Sequence, residues 1–155
     1  MASTSSNKQP LLVDHILHEV INLDNRIIGQ MDVVGTNDAL QVLSAIGTDG
    51  AILESIYTIS RSTTAYKVNL YLSSSVDYLR PTEGIFIGTI TAATTVGTIV
   101  EWDAAPKILA PFPQVGSDAQ FRALYVPKGR CLWAAVESES NVTEAPLLGV
   151  QGGWY

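Results

Sequence analysis

The residues most able to do chemistry lie near the N-terminus, where His15, His18 and Glu19 follow one another closely. Imidazole and carboxylate groups are common metal ligands and acid–base catalysts. The His-x-x-His-Glu spacing differs from that of zinc proteases, and the sequence has no third histidine to complete a site. We therefore interpret both histidines as members of a docking segment, with a pH-sensitive interface as the alternative, and we expect no bound metal.

The single cysteine and the paired carboxylates are poor catalytic candidates. Cys131 lies within a predicted strand and has no histidine outside the N-terminal pair to activate it, so we interpret it as a buried structural thiol. Glu137 and Glu139 end a predicted strand beside Ser and Asn residues, which is typical of a solvated turn rather than a glycosidase pair. The sequence therefore predicts no catalytic residue, no cofactor and no enzyme activity.

Charged side chains are scarce in this chain of 155 residues. Asp, Glu, Lys and Arg make up 15% of it, against roughly 25% in a typical soluble domain. Acidic residues exceed basic ones by 15 to 9, and the net charge of −6 disfavours binding to nucleic acids or to anionic membranes. Because the cores of protein interfaces are depleted in charge, the composition favours a chain that buries surface against its own copies or other proteins. A neutral, hydroxyl-rich monomer is the alternative.

The pattern from residue 38 onward predicts β-strands. Residues 66–72 alternate between apolar and polar side chains, which indicates a strand with one face in a core. Similar segments recur between turn signals, and a proline-rich loop is predicted over residues 103–119. We predict an all-β fold, an antiparallel β-sandwich of the jelly-roll kind, over residues 38–155. An N-terminal arm and connecting segment are predicted over residues 1–37.

The same alternation predicts which side chains face the core. Residues 11–23 fit either a helix or a strand over Ile16–Leu23, and we favour a strand or an extended arm. The predicted core residues are Ile52, Ile56, Tyr66, Val68, Leu70, Leu72, Ile85, Ile87, Leu124, Val126, Leu132, Val136, Leu148 and Val150.

Both ends of the chain are predicted to bind partners. The arm is polar over residues 1–10 and then becomes apolar, and a flexible apolar arm can add to the sheet edge or groove of a neighbour. The two aromatic residues at the C-terminus either anchor an interface or cover their own core. The predicted partner-binding residues are Leu11, Leu12, Val13, Ile16, Trp154 and Tyr155.

Three segments resemble structural proteins of tailed phages, those of cyanophages in particular. They are the run Ser55–Leu72, the hairpin Leu124–Val136 with its Tyr-x-Pro-x-Gly-x-x-Leu element, and the C-terminal Gly-Gly-Trp-Tyr. The resemblance covers roughly residues 50–155. It implies a β-sandwich virion protein on the capsid exterior or at the neck or tail, and it carries over no catalytic residue.

From this resemblance together with the low charge and the apolar arm, we expect a capsid decoration (cement) protein that assembles as a trimer and holds adjacent major capsid subunits together. Its arm and one sheet edge would make the contacts, and neither nucleic acid nor a membrane would be a partner. A neck, tail or fibre component of the same virion is the first alternative. The second is a module that binds host glycans, whose stacking platforms would be Tyr57, Tyr71, Trp102, Trp133 and Trp154.

Overall fold

A computed structural model of the protein describes residues 15–24, 40–45, 49–74, 84–102, 110–113, 120–138 and 142–154. These residues form two packed antiparallel sheets and contain no helix, so the predicted all-β sandwich is confirmed. None of them forms a helix that is long and apolar enough to cross a membrane. The strands are β1 (His15–Asn22), β2 (Leu40–Ser44), β3 (Gly50–Ile59), β4 (Lys67–Ser73), β5 (Ile85–Thr91), β6 (Ile99–Glu101), β7 (Ala110–Pro113), β8 (Gln120–Pro127), β9 (Cys131–Val136) and β10 (Leu147–Trp154).

The strands pair as one long hairpin that is wound on itself. β1 pairs with β10, β2 with β9, β3 with β8 and β4 with β5, so each pair encloses the next along the chain. The larger sheet has the order β1-β10-β3-β8-β7, with β6 also on β3, and the smaller sheet has the order β2-β9-β4-β5. Successive pairs fall in opposite sheets, which is the winding of a jelly roll.

Part of the segment predicted as an arm is a strand of the sandwich. β1 pairs with β10 over its whole length in unbroken register. Leu17 and Leu23 are buried in the core, so the strand alternative for this segment is correct over the described residues. The apolar positions Leu11, Leu12 and Val13 lie outside the described residues.

The core between the two sheets contains most of the side chains that alternation predicts. All are buried except Leu72, which packs partly buried against the core, and Ile52 and Ile85, for which the prediction is wrong. The register of β3 against β10 shifts so that Glu54 is an extra residue, and this bulge turns Leu53 inward in place of Ile52. Ile85 begins an edge strand and is 58% exposed, because only one side of it has a neighbouring strand.

The proline-rich segment 103–119, predicted as a loop, contains a short strand. β7 carries Pro111 and Pro113 and pairs with β8 alone at the edge of the larger sheet. An edge position tolerates proline because a strand there needs hydrogen bonds on one side only.

Truncation of a central core residue should destabilise the sandwich strongly. Leu70 has no exposed surface in the middle of β4, and Leu70→Ala should lower the free energy of unfolding by about 2–5 kcal/mol through lost burial and a cavity. Urea denaturation monitored by tryptophan fluorescence measures this change. Val96→Ala is the control, because Val96 is 62% exposed in a turn and such substitutions alter stability by less than about 0.5 kcal/mol. Equal effects of the two substitutions would contradict the assignment of Leu70 to the core.

Candidate interaction surface

The outer face of the larger sheet carries apolar side chains from one end to the other. Residues directly opposite each other in an antiparallel pair point to the same side of the sheet, so the register defines rows across this face. One end row holds Ile16, Gly153, Ile52 and Tyr125, and the other holds Asn22, Leu147, Ile59 and Ile99. Two rows lie between them. One is polar and holds His18, Gln151 and Ser55, and the other holds Val20, Gly149, Tyr57 and Glu101. We call this set the outer sheet face.

Several of these apolar side chains are strongly exposed. Ile16 is 86% exposed, Ile99 58%, Tyr125 48% and Val20 46%. The outward face of a sheet normally carries polar residues when it meets water. Isolated exposed apolar side chains are ordinary, but several of them on one sheet face make that face a candidate interaction site.

In the middle of the outer sheet face, the ring of Tyr57 covers a glycine. Its ring lies on Gly149 of β10, where any Cβ atom would overlap the ring. The Tyr57 hydroxyl then reaches across to β1 and forms a hydrogen bond of 3.1 Å with Nε2 of His18. The absence of a side chain at Gly149 therefore lets one aromatic ring connect β3 with the edge strand β1.

The only carboxylate in these rows, that of Glu101, also forms a hydrogen bond with a neighbouring side chain. Glu101 lies opposite Tyr57, and its Oε1 accepts a hydrogen bond of 3.1 Å from Oγ of Ser55. Apart from this group and His18, the side chains in the rows carry no ionisable group other than tyrosine hydroxyls. The face therefore presents apolar area with little charge to desolvate on binding.

The two histidines and Glu19 do not form a metal site on β1. His15 and His18 are an odd number of residues apart on a strand, so their side chains point to opposite faces of the sheet. Within the part of the chain that the structure describes, no three His, Cys, Asp or Glu side chains come together as metal ligands.

The outer face of the smaller sheet differs, because its centre is buried, although Phe86 on the edge strand β5 is 56% exposed beside Tyr71. Tyr71, Cys131, Trp133 and Ala135 form a second buried cluster there. Cys131 is fully buried, as predicted, and its Sγ donates a weak hydrogen bond of 3.5 Å to Oγ of Ser44. Because Tyr71 and Trp133 are buried, they do not offer the exposed stacking platforms that the glycan-binding alternative requires.

The predicted partner-binding residues have different environments. Ile16 lies exposed on the outer sheet face. Trp154 is partly buried and packs against the core, opposite His15 on one side and Ala51 on the other, which favours the alternative that it covers its own core. Tyr155 and residues Leu11–Val13 lie outside the described residues.

Sequence reasoning missed most of the outer sheet face. Val20, Ile99 and Tyr125 were not among the predicted binding residues, although they are strongly exposed. A usable signal lies in Ala51–Ile59, which has apolar side chains at both odd and even positions. Such a run is typical of a strand that is covered on both faces.

Comparison with family models, with curated proteins and with solved structures found no match to this chain.

Adding a methyl group at Gly149 should disturb the outer sheet face through Tyr57. Gly149→Ala places a Cβ within the ring of Tyr57 and should lower the free energy of unfolding by about 1–3 kcal/mol. In a Tyr57→Ser background the aromatic ring is absent, so Gly149→Ala should lower the free energy of unfolding by a smaller amount. A double-mutant cycle from urea denaturation measures the coupling. Strictly additive effects would show that the ring does not cover Gly149.

Ionisation of Tyr71 should destabilise the fold at alkaline pH. Burial raises the pKa of Tyr71 above its ordinary value of 10.0, and the Glu137 carboxylate acts in the same direction, whereas a hydrogen bond with Asn69 opposes them. As the pH rises, the unfolded chain therefore loses the hydroxyl proton of Tyr71 before the folded protein does. The free energy of unfolding consequently falls as the pH rises above 10.0.

Tyr71→Phe should make that alkaline loss of stability smaller than in the wild type. Urea denaturation at a series of pH values from neutral to strongly alkaline measures the slope. Tyr125→Phe is the matched control for removal of an exposed tyrosine hydroxyl. An unchanged slope in Tyr71→Phe would contradict the assignment.

Proposed function

We propose that the protein is a decoration (cement) protein of a tailed-phage capsid and that it acts through protein–protein contacts alone. The observation that carries the proposal is the outer sheet face, an exposed apolar surface on a chain with only 15% charged residues. Burial of such a face against neighbouring subunits removes apolar area from water and desolvates few charges. The resemblance of residues 50–155 to phage structural proteins supplies the viral setting.

The strand pairing supports a binding role for the two chain ends. His15 at the start of β1 lies directly opposite Trp154 at the end of β10. The N-terminal segment therefore enters the sandwich beside the C-terminus, at one corner of the larger sheet. An extended apolar segment at that corner can add to the sheet edge or groove of a capsid subunit.

A homo-oligomer on the shell is part of the proposal. Several weak contacts made by one oligomer act together, because the first contact raises the effective concentration of the others. Modest individual affinities then give firm attachment. This mechanism needs no cofactor, and its partners are further copies of the chain and the major capsid protein.

The number of copies in purified particles tests the proposal. Quantitative mass spectrometry against the major capsid protein should find the protein in hundreds of copies, because a decoration protein follows the repeated symmetry of the shell. A dozen copies or fewer would favour the neck or tail alternative. Absence from the particles would overturn both.

Removal of residues 1–14 should lower occupancy on capsids while the sandwich stays folded. The truncation leaves β1, which begins at His15, complete. Undecorated capsids should be incubated with full-length or truncated protein, and bound protein measured after sedimentation. Val96→Ser, a change in an exposed turn, is the control and should bind like the wild type. If the truncated protein bound capsids as well as the full-length protein does, the arm would not contribute to attachment.

A further inference from the structure

Three of the described edge strands carry features that prevent pairing with another chain. β7 contains Pro111 and Pro113 within four residues. β2 has an extra residue, Val42, at a register shift against β9, and β5 has an extra residue, Ile87, at a shift against β4. Prolines and bulges at sheet edges are the devices by which proteins block edge-to-edge association.

Two further described strands lie at sheet edges. β6 pairs only with β3 and is three residues long, and such a short edge offers little backbone for pairing. β1 is longer and has neither a proline nor a bulge. Its eight residues hold one unbroken register against β10 and include no proline, lysine or arginine. Among the described strands, β10 is its only partner. Ile16 and Val20 are exposed along it, so β1 combines an open backbone edge with apolar side chains. Such an edge is a template for the addition of another strand.

We propose that β1 pairs antiparallel with β1 of a second copy of this chain, about a two-fold axis. The two larger sheets then form one continuous sheet that extends across both copies. A two-fold interface requires a surface that complements itself, and the side chains of β1 favour one register for it. The proposal goes beyond the proposed function. It replaces the trimer that the sequence led us to expect with a two-fold dimer, and it stands whether or not the chain binds a capsid.

The charged side chains select that register. With Leu17 on the two-fold axis, Glu19 of each copy lies opposite the partner's His15, and an imidazole N–H can donate to a carboxylate. A register centred on Glu19 would instead oppose two carboxylates, which is unfavourable for directly opposite residues. A register centred on His18 would place Glu19 opposite the apolar Leu17.

The oligomeric state of the full chain in solution tests this pairing. Sedimentation equilibrium over a range of concentrations should show a dimer for the wild type. Ile16→Lys/Val20→Lys places two cations on the exposed side of each edge strand and should raise the dimer dissociation constant at least about tenfold. Val96→Lys is the matched control and should leave the constant unchanged, since Val96 lies in a turn. Circular dichroism and thermal melting confirm that each variant is folded.

A charge exchange tests the register independently. Glu19→Lys should weaken the dimer several-fold, and His15→Glu/Glu19→Lys should restore it by recreating the complementary pair in the opposite sense. Both positions are exposed, so the fold should tolerate these changes.

Three results would overturn the proposal. They are a wild-type monomer at every concentration, a wild-type trimer, and loss of association in Ile99→Lys as large as that in the β1 variant. Ile99 lies on β6, away from β1 but on the same outer sheet face. The last result would therefore show that the faces stack rather than that the edges pair. None of these results depends on capsid binding, so failure of this proposal and failure of the proposed function are separable.

Discussion

The pairing of the first described strand with the last is the interaction on which the rest of the structure depends. β10 lies between β1 and β3, and its register brings His15 beside Trp154. This pairing places His15 and Trp154, the first and last described residues, at one corner, makes β1 an edge, and completes the outer sheet face. Without β1, Leu17 and Leu23 would leave the core, and the exposed side of the sheet would lose Ile16 and Val20.

The two outer faces of the sandwich have opposite characters, although the strands that form them alternate along the chain. On the smaller sheet, Tyr71 and Trp133 are buried. On the larger sheet, apolar side chains of similar kind remain exposed. Of the described apolar side chains, the larger sheet therefore exposes more on its outer face than the smaller sheet, where Phe86 at the edge is exposed.

The sequence predicts the parts of the fold that depend on local alternation. The period of two in a strand predicts that Val68, Leu70 and Leu72 face inward. The structure buries the first two and packs Leu72 partly buried against the core. Alternation cannot reveal a bulge, because the extra residue at Glu54 is defined only by the register with β10. This is why Ile52 was assigned to the core and Leu53 was not. The outer sheet face depends in the same way on strand pairings between residues distant in sequence, such as Val20 with Gly149.

The nested order of the pairs also constrains when each contact can form during synthesis. The β4–β5 and β8–β9 connections join segments near each other in sequence, whereas β1 must wait for β10. The ribosome synthesises the chain from the N-terminal side, so β1 leaves it before the other described strands. Its partner, β10, leaves after them. Contacts between such distant segments carry a high loop-closure cost and slow folding. The nascent chain therefore carries β1 without its native partner until β10 has been synthesised.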